Sequence, residues 1–90
     1  MTEMPLDKFL TTVKPGDEWG WGIEIALLIR NHSERVEALV RDISRQGIHT
    51  PILIGTDGRC WDGHHRITAA FLLGLQTIPV TYAEQDAASC

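Results

Sequence analysis

Residues 61–70 read Trp61-Asp62-Gly63-His64-His65-Arg66-Ile67-Thr68-Ala69-Ala70. The pattern predicts the end of a strand, a turn at Gly63, and the start of a helix. Glycine allows the backbone to bend sharply or to approach a ligand closely, because it has no side chain. The first N–H groups of a helix have no intrahelical partner, and the helix dipole adds partial positive charge there. The turn is therefore a candidate anion site.

Three side chains strengthen this prediction. Arg66 carries a charge and a planar set of donors that suits phosphate. His64 and His65 add rings that can donate a hydrogen bond or take up a proton. The alternative interpretation is an ordinary strand-to-helix turn whose polar side chains face water. Both interpretations remain open from the residues alone.

Length and composition indicate a globular chain. Ninety residues predict a single domain over 1–90, with a frayed tail over about 84–90. Apolar residues make up 43% and charged residues 22%, which is ordinary for a globular protein. The net charge of −4 argues against an extended basic surface for nucleic acid. No apolar run could span a bilayer, so no membrane partner is expected.

The cysteines and the N-terminus predict a cytoplasmic protein. Residues 1–5 lack the basic start and apolar stretch of a signal peptide. Two cysteines without a secretion signal favour reduced thiols. Cys60, which lies on the strand before the turn, is expected to be a small core residue.

The N-terminal third combines short elements. Residues 4–10 are predicted to be extended, with Pro5 at an edge position. Residues 11–17 are predicted to be a loop, and residues 23–30 a short helix, although their alternation also fits a strand. Trp19 and Trp21, set among glycines, fit either a hydrophobic lid on the core or a platform for a flat ligand.

Residues 33–46 give the clearest helix. Four apolar residues repeat at helical spacing on one face: Val36, Leu39, Val40 and Ile43. Gly47 is the expected C-terminal stop. Asn31, with Glu34 three residues later, resembles a capping box, and Ser33 is the competing N-cap.

The second half of the chain alternates strands and a helix. Residues 51–54 and 59–62 are predicted to be strands joined by a turn at 56–58. The helix over 64–73 is expected to carry Ile67, Ala70 and Phe71 on one face and to end at Gly74, before a last strand over 78–82. These elements predict an α+β fold, with a small mixed sheet and helices packed on one face.

With the elements placed, the sequence resembles the ParB/sulfiredoxin superfamily. Matching segments occur in family order over 4–9, 36–47, 47–51 (GIHTP), 62–66 (DGHHR) and 69–80. The segment 62–66 falls on the phosphate-binding motif, which reads G-E-R-R in ParB proteins and G-C-H-R in sulfiredoxins. The reactive cysteine of sulfiredoxin falls on His64, so that reaction is not expected here.

The resemblance implies a nucleotide ligand. It places the phosphates of a nucleoside triphosphate or diphosphate, such as ATP or CTP, at Gly63, His64, His65 and Arg66, with Mg²⁺ as a candidate companion. The segment containing Gly47, His49 and Thr50 would border the base or ribose. ParB proteins carry a second phosphate motif and a helix-turn-helix further along the chain, and neither has a match within 1–90. We therefore expect no tight binding to duplex DNA.

An enzyme on this site would need an acid. Family members that act as kinases use an upstream acid as base, and Asp17, Glu18 and Glu24 lie in the region that could supply one. Asp62 is a further catalytic candidate. It could also hold magnesium or cap the helix, and helix capping is its favoured role. The adjacent histidines His64 and His65 diverge on a helix, and no zinc motif is present, so no metal site is predicted.

Three functions remain open at this point. The first is a nucleotide-binding module, either regulatory or binding. The second is a small nucleotide-dependent enzyme: a nucleotidase, a kinase or a ParB-like nuclease. The third is a protein-interaction module that has lost nucleotide binding, with a protein partner at Trp19 and Trp21 or a second copy of the chain in a homodimer.

Overall fold

Short strands and helices alternate along the chain in the computed structural model, which describes residues 2–16 and 19–84. The elements are β1 (Thr2–Pro5), α1 (Leu6–Thr12), α2 (Trp21–Asn31), α3 (Ser33–Gln46), β2 (Ile52–Ile54), β3 (Cys60–Asp62), α4 (His64–Leu73) and β4 (Thr77–Tyr82). None of the helices in these two ranges is long and apolar enough to cross a membrane.

The four strands form one mixed sheet in the order β1-β4-β2-β3. β4 pairs antiparallel with β1 and parallel with β2, and β3 pairs antiparallel with β2. Parallel strands cannot be joined by a tight turn and need a crossover, which here includes α4. The predicted α+β class and mixed sheet are therefore confirmed.

The core lies where α4 crosses the sheet. Ile52 and Val80 are neighbours across β2 and β4, and Ile67 of α4 is fully buried. α3 packs against α4, and α2 contacts both of these helices. The buried cluster comprises Met4, Leu6, Phe9, Val13, Trp21, Ile25, Ile52, Ile54, Cys60, Ile67, Ala70, Ile78 and Val80. Burial of this apolar surface is the main stabilising contribution to the fold.

The prediction of an extended stretch over 4–10 is wrong after Pro5. Pro5 has φ −57° and precedes the first helical residue, Leu6. Proline cannot extend a strand ladder with an N–H, but its fixed φ suits the entry to a helix. Leu6 and Phe9, three residues apart, are both buried on the face of α1 that packs on the core.

Both predicted N-caps of α3 are wrong. The N-cap is His32, and no side chain bonds to the first N–H groups of α3. Asn31 is the last residue of α2 and Ser33 the first of α3. A one-residue break leaves Asn31 helical, so it cannot adopt the extended conformation that a cap requires. The stop at Gly47 is confirmed, with φ 73°.

Phe71 is not buried, although the sequence places it on one helix face with Ile67 and Ala70. Its side chain is 50% exposed, and the buried residues of α4 are Ile67, Thr68, Ala69 and Ala70. Phe71 lies in the last turn of α4, where it lines an open groove together with Leu10 and Leu75. The core closes around the middle of this helix rather than along its whole length.

Candidate functional site

Gly63 joins β3 to α4 and is the N-cap of that helix, with φ 122° and ψ 12°. Residues with a side chain rarely adopt this φ. A Cβ at this position would lie 2.8 Å from Cδ1 and 3.4 Å from Cα of Ile52. Glycine is therefore needed both for the bend and for close packing of the turn on β2.

The start of α4 opens into a cleft of about 460 Å³. The lining residues are Glu24, Leu28, Arg35, Leu39, Asp62, Gly63, His64, His65 and Arg66. No side chain in the described part of the chain caps the first turn of α4, so its N–H groups are available to a ligand. The structure thus brings the predicted phosphate residues and two predicted acids, Glu24 and Asp62, to a single cleft.

Arg66 is held by three groups around it. Its Nη1 donates to the carbonyl oxygens of Thr50 and Pro51, the latter at 3.0 Å. Its Nη2 lies 3.1 Å from Oδ2 of Asp62. Arg66 therefore ties the loop between α3 and β2 to the start of α4, in addition to placing a positive charge beside the cleft.

The other predicted ligand contacts lie outside the cleft lining. Gly47 ends α3, and His49 bonds to Oε1 of Gln46 at 3.0 Å. Thr50 is linked to the site through its carbonyl bond to Arg66. The loop borders the site from the far side of Arg66, and its side chains are not part of the cleft wall.

His64 is anchored at the mouth of the cleft. Its Nε2 bonds to the carbonyl oxygen of Pro15. Since a carbonyl only accepts, Nε2 carries the proton. The ring also lies 5.5 Å from that of Trp21, which is a core residue, as the lid interpretation of this tryptophan predicts.

Glu24 is the candidate base that the described residues place in the cleft wall. Its Oε2 lies 4.0 Å from Nε2 of His64, and its Oε1 accepts a hydrogen bond from Nε1 of Trp19 at 3.0 Å. The alternative acids Asp17 and Glu18 lie outside the described residues. Of the three upstream acids named from the sequence, Glu24 is therefore the one that lies within the described residues, and it lines the cleft.

The predicted capping role of Asp62 is wrong. Its side chain makes no capping bond to α4 and pairs with Arg66 instead. Gly63 at the N-cap separates Asp62 from the helix by one residue, so its carboxylate is poorly placed for capping. The carboxylate is 71% exposed.

Arg35 is the cleft residue that the sequence did not single out. It lies on α3, and its guanidinium has no ion pair or hydrogen bond within residues 2–16 and 19–84. Leu39, four residues later, belongs to the predicted apolar face of α3. Residues four apart share a helix face, so this spacing already placed Arg35 beside the buried side.

His65 is paired with a second residue that the sequence did not single out. Its Nε2 lies 2.8 Å from Nδ1 of His32. Burial lowers the pKa of His65, and the charges of Arg35, His32 and His64 lower it further. His65 is therefore disposed to be neutral at pH 7 in the free protein.

The thiol and metal chemistry of the described chain is limited. Burial raises the pKa of Cys60 to about 12, and Asp62 adds to the shift. A buried thiol of this kind is a weak nucleophile, as expected for a core cysteine. Across the residues that the structure describes, no three His, Cys, Asp or Glu side chains are grouped so as to hold a metal ion.

The lowered pKa of His65 predicts a pH effect on stability. The unfolded chain, with a pKa near the ordinary 6.5, binds this proton more readily than the folded chain. The contribution of neutral His65 to the free energy of unfolding should therefore be fully present above pH 6.5. The free energy of unfolding should decrease as the pH falls below 6.5. Urea denaturation at pH 7.5 and 5.5 measures this change. His65→Gln should reduce it, and His49→Gln, outside the cleft, should not; equal pH dependence in both variants would contradict the assignment.

The structure of this chain is similar to those of known proteins. No protein-family model and no curated protein matches the sequence. Sulfiredoxin from Arabidopsis thaliana is similar with a TM-score of 0.64 and 26% identity, over 93% of this chain and 84% of that one. The Pnob8-like ParB-N domain is similar with a TM-score of 0.63 and 15% identity. This chain has a ParB/sulfiredoxin-like fold.

The ParB/sulfiredoxin-like fold confirms the resemblance that the sequence motifs predicted. The match covers 98% of this chain but only 31% of the chain that contains the ParB-N domain. At 15% identity that similarity concerns the fold alone. Within the ParB/sulfiredoxin-like fold, the chemistry of the cleft depends on the residues that this chain places there.

Proposed function

We propose that this chain is a binding module for a nucleoside triphosphate or diphosphate, with the phosphates in the cleft at the start of α4. The observation that carries the proposal is the placement of Arg35, a guanidinium without an ion partner among the described residues, in the same cleft as the uncapped first turn of α4. Backbone N–H groups, the helix dipole and a guanidinium together favour a phosphate oxyanion.

The cleft divides these roles among its residues. Asp62 already offsets the charge of Arg66, whereas Arg35 has no ion partner within residues 2–16 and 19–84, so Arg35 supplies the main side-chain contact to phosphate. Leu28 and Leu39 add an apolar surface for the ribose or base. A volume of about 460 Å³ is within the usual range for small-molecule sites.

The Glu24 carboxylate makes Mg²⁺ a candidate companion of the bound phosphates. Its carboxylate in the cleft would repel a phosphate unless a cation or a proton lies between them. Carboxylates and phosphate oxygens are the ligands that Mg²⁺ prefers. We therefore expect nucleotide affinity to be higher with Mg²⁺ than without it, and Glu24→Gln to remove most of that difference.

The binding test compares two arginines of α3. Calorimetric titration of the full chain with ATP, ADP, CTP and GTP, with and without Mg²⁺, should detect at least one nucleotide. Arg35→Gln should weaken that binding by about tenfold or more, since a hydrogen bond from a charged group contributes about 1.5–3 kcal/mol. Arg41→Gln, an exposed change outside the cleft, is the matched control.

Three outcomes of this titration are informative. Loss of binding in Arg35→Gln alone supports the proposal. Equal affinity in the two variants would place the nucleotide elsewhere. Absence of binding by all four nucleotides would contradict the proposal and favour a protein-interaction module, for which exposed Trp19 and Ile23 offer an apolar surface.

The position of Glu24 also supports a second candidate, an enzyme on the same cleft. A carboxylate near the phosphates could act as a general base in phosphoryl transfer or hydrolysis. In that case, Glu24→Gln should keep nucleotide binding and lose turnover, measured as release of phosphate or transfer to a small hydroxyl compound. Absence of turnover by the unmodified chain, with binding intact, would leave the binding module as the function.

A further inference from the structure

His32 and His65 are joined across the edge of the cleft. Nδ1 of His32 lies 2.8 Å from Nε2 of His65, the ring planes differ by 7°, and the ring centroids are 5.0 Å apart. The two nitrogens are much closer than the centroids, so they lie between the rings. There an N–H of one ring can point at the lone pair of the other. Only one N–H fits between them, so at least one ring must be neutral for the bond to exist.

The hydrogen bond between these rings connects the break between α2 and α3 to the first turn of α4. His32 is the non-helical residue between α2 and α3, with φ −130° and ψ 38°. Its N–H donates to Leu28 and its carbonyl accepts from the N–H of Val36, so both helices depend on its conformation. α2 and α3 carry Leu28 and Arg35 into the cleft, and His65 lies in the first turn of α4.

Burial and the surrounding charges disfavour an added proton on His65 in the free protein. His65 faces Arg35 from α3, His32 from the break, and His64 from its own helix, whereas Glu24 from α2 acts in the opposite sense. His32 borders a surface hollow shared with Glu34 and Arg35. A phosphate in the cleft would add negative charge near His65, and this charge favours the protonated form of that ring.

We propose that His32 and His65 act as one proton-accepting unit that couples anion binding in the cleft to the uptake of a single proton. The added proton goes to a ring nitrogen that faces away from the shared bond, Nε2 of His32 or Nδ1 of His65, so the pair keeps its hydrogen bond while gaining a positive charge next to the bound anion. A further proton would place an N–H on both facing nitrogens and break the bond. This inference rests on the proposed function, since it concerns the same cleft.

The first test follows both rings in the free chain. Nitrogen-15 NMR of the histidine rings distinguishes protonated from bare ring nitrogens. At pH 7.5 we expect a single N–H between Nδ1 of His32 and Nε2 of His65, with the other of these two nitrogens bare. His32→Phe, a change at an exposed residue, should alter the titration of His65, and His49→Phe should not. Identical titration of His65 in the unmodified chain and in His32→Phe would overturn the pairing.

The second test counts protons on binding. Inorganic pyrophosphate is titrated at pH 7 into the full chain in buffers of different ionisation enthalpy. We expect uptake of about half to one proton per anion, which is what one linked histidine supplies near its titration range. Uptake should vanish in His65→Gln and fall at least twofold in His32→Phe, with no change in His49→Phe. Uptake in His32→Phe equal to that of the unmodified chain would overturn the proposal.

The two tests separate the failure of this inference from that of the proposed function. If pyrophosphate binds and no proton is taken up, the cleft is an anion site and the coupled pair is wrong. If neither pyrophosphate nor any nucleotide binds, the proposed function and the coupled step both fail. The ring titration of the free chain still decides whether the two histidines share a proton.

Discussion

Gly63→Ala is expected to lower the free energy of unfolding by about 2–5 kcal/mol, the sum of backbone strain and overpacking against β2. The strain arises because φ is 122°, and the overpacking arises because the new Cβ would lie 2.8 Å from Cδ1 of Ile52. Small domains are marginally stable, so this variant should be largely unfolded under mild denaturing conditions. Urea denaturation followed by circular dichroism measures the loss.

Gly74→Ala separates the two contributions. Gly74 has φ 69°, but a Cβ there would meet no atom within 4 Å, so this variant has strain without overpacking. We expect it to lose about 1–2 kcal/mol. Ile52→Val removes Cδ1, the carbon nearest to a Cβ at Gly63. Gly63→Ala should therefore lower the free energy of unfolding by less in the Ile52→Val background. Equal losses at the two glycines, with no coupling to Ile52, would show that packing against β2 is unimportant.

Arg66→Ala is expected to affect both stability and binding. The side chain is only 16% exposed, and its loss would leave the carbonyls of Thr50 and Pro51 without this donor. We expect a loss of about 2–3 kcal/mol in the free energy of unfolding. Hydrogen exchange should speed up in the loop between α3 and β2. Phosphate binding should weaken too, because the loop and the first turn of α4 lose their connection.

The matched controls are Asp62→Asn and Arg66→Lys. The ion pair with Asp62 is exposed, so its removal should cost less than about 1 kcal/mol. Arg66→Lys keeps the charge but not the planar donor set, and it should be intermediate in stability. A loss in Arg66→Ala no greater than that in Asp62→Asn would show that the carbonyl bonds contribute little.

Much of the fold could be predicted because its signals are local. The apolar spacing from Val36 to Ile43 and the stops at Gly47 and Gly74 define α3 and the end of α4 within the sequence itself. The errors arise where tertiary contacts decide. α1 forms because Leu6 and Phe9 pack into the core, and His32 is the cap of α3 because α2 continues to Asn31.

Only the part of the site at the start of α4 could be predicted from the sequence. The turn from Gly63 to Arg66 is contiguous, so its donors could be found by reading along the chain. Arg35 and His32 come from other elements, and only the packing of α2 and α3 against α4 brings Arg35 to the cleft and His32 into contact with His65. The hydrogen bonds of Arg66 to backbone carbonyls could not be predicted either, since the residues that carry those carbonyls lie 15 and 16 positions earlier in the chain.

The central claim is that the first turn of α4 and Arg35 bind phosphate. The most direct measurement is an amide and guanidinium NMR titration of the full chain with pyrophosphate and then ADP. We expect saturable shifts at the N–H groups of His64, His65 and Arg66 and at Nε of Arg35. These shifts should be lost in Arg35→Gln and kept in Arg41→Gln. Saturation with no shift at these groups, or with shifts confined to another surface, would contradict it.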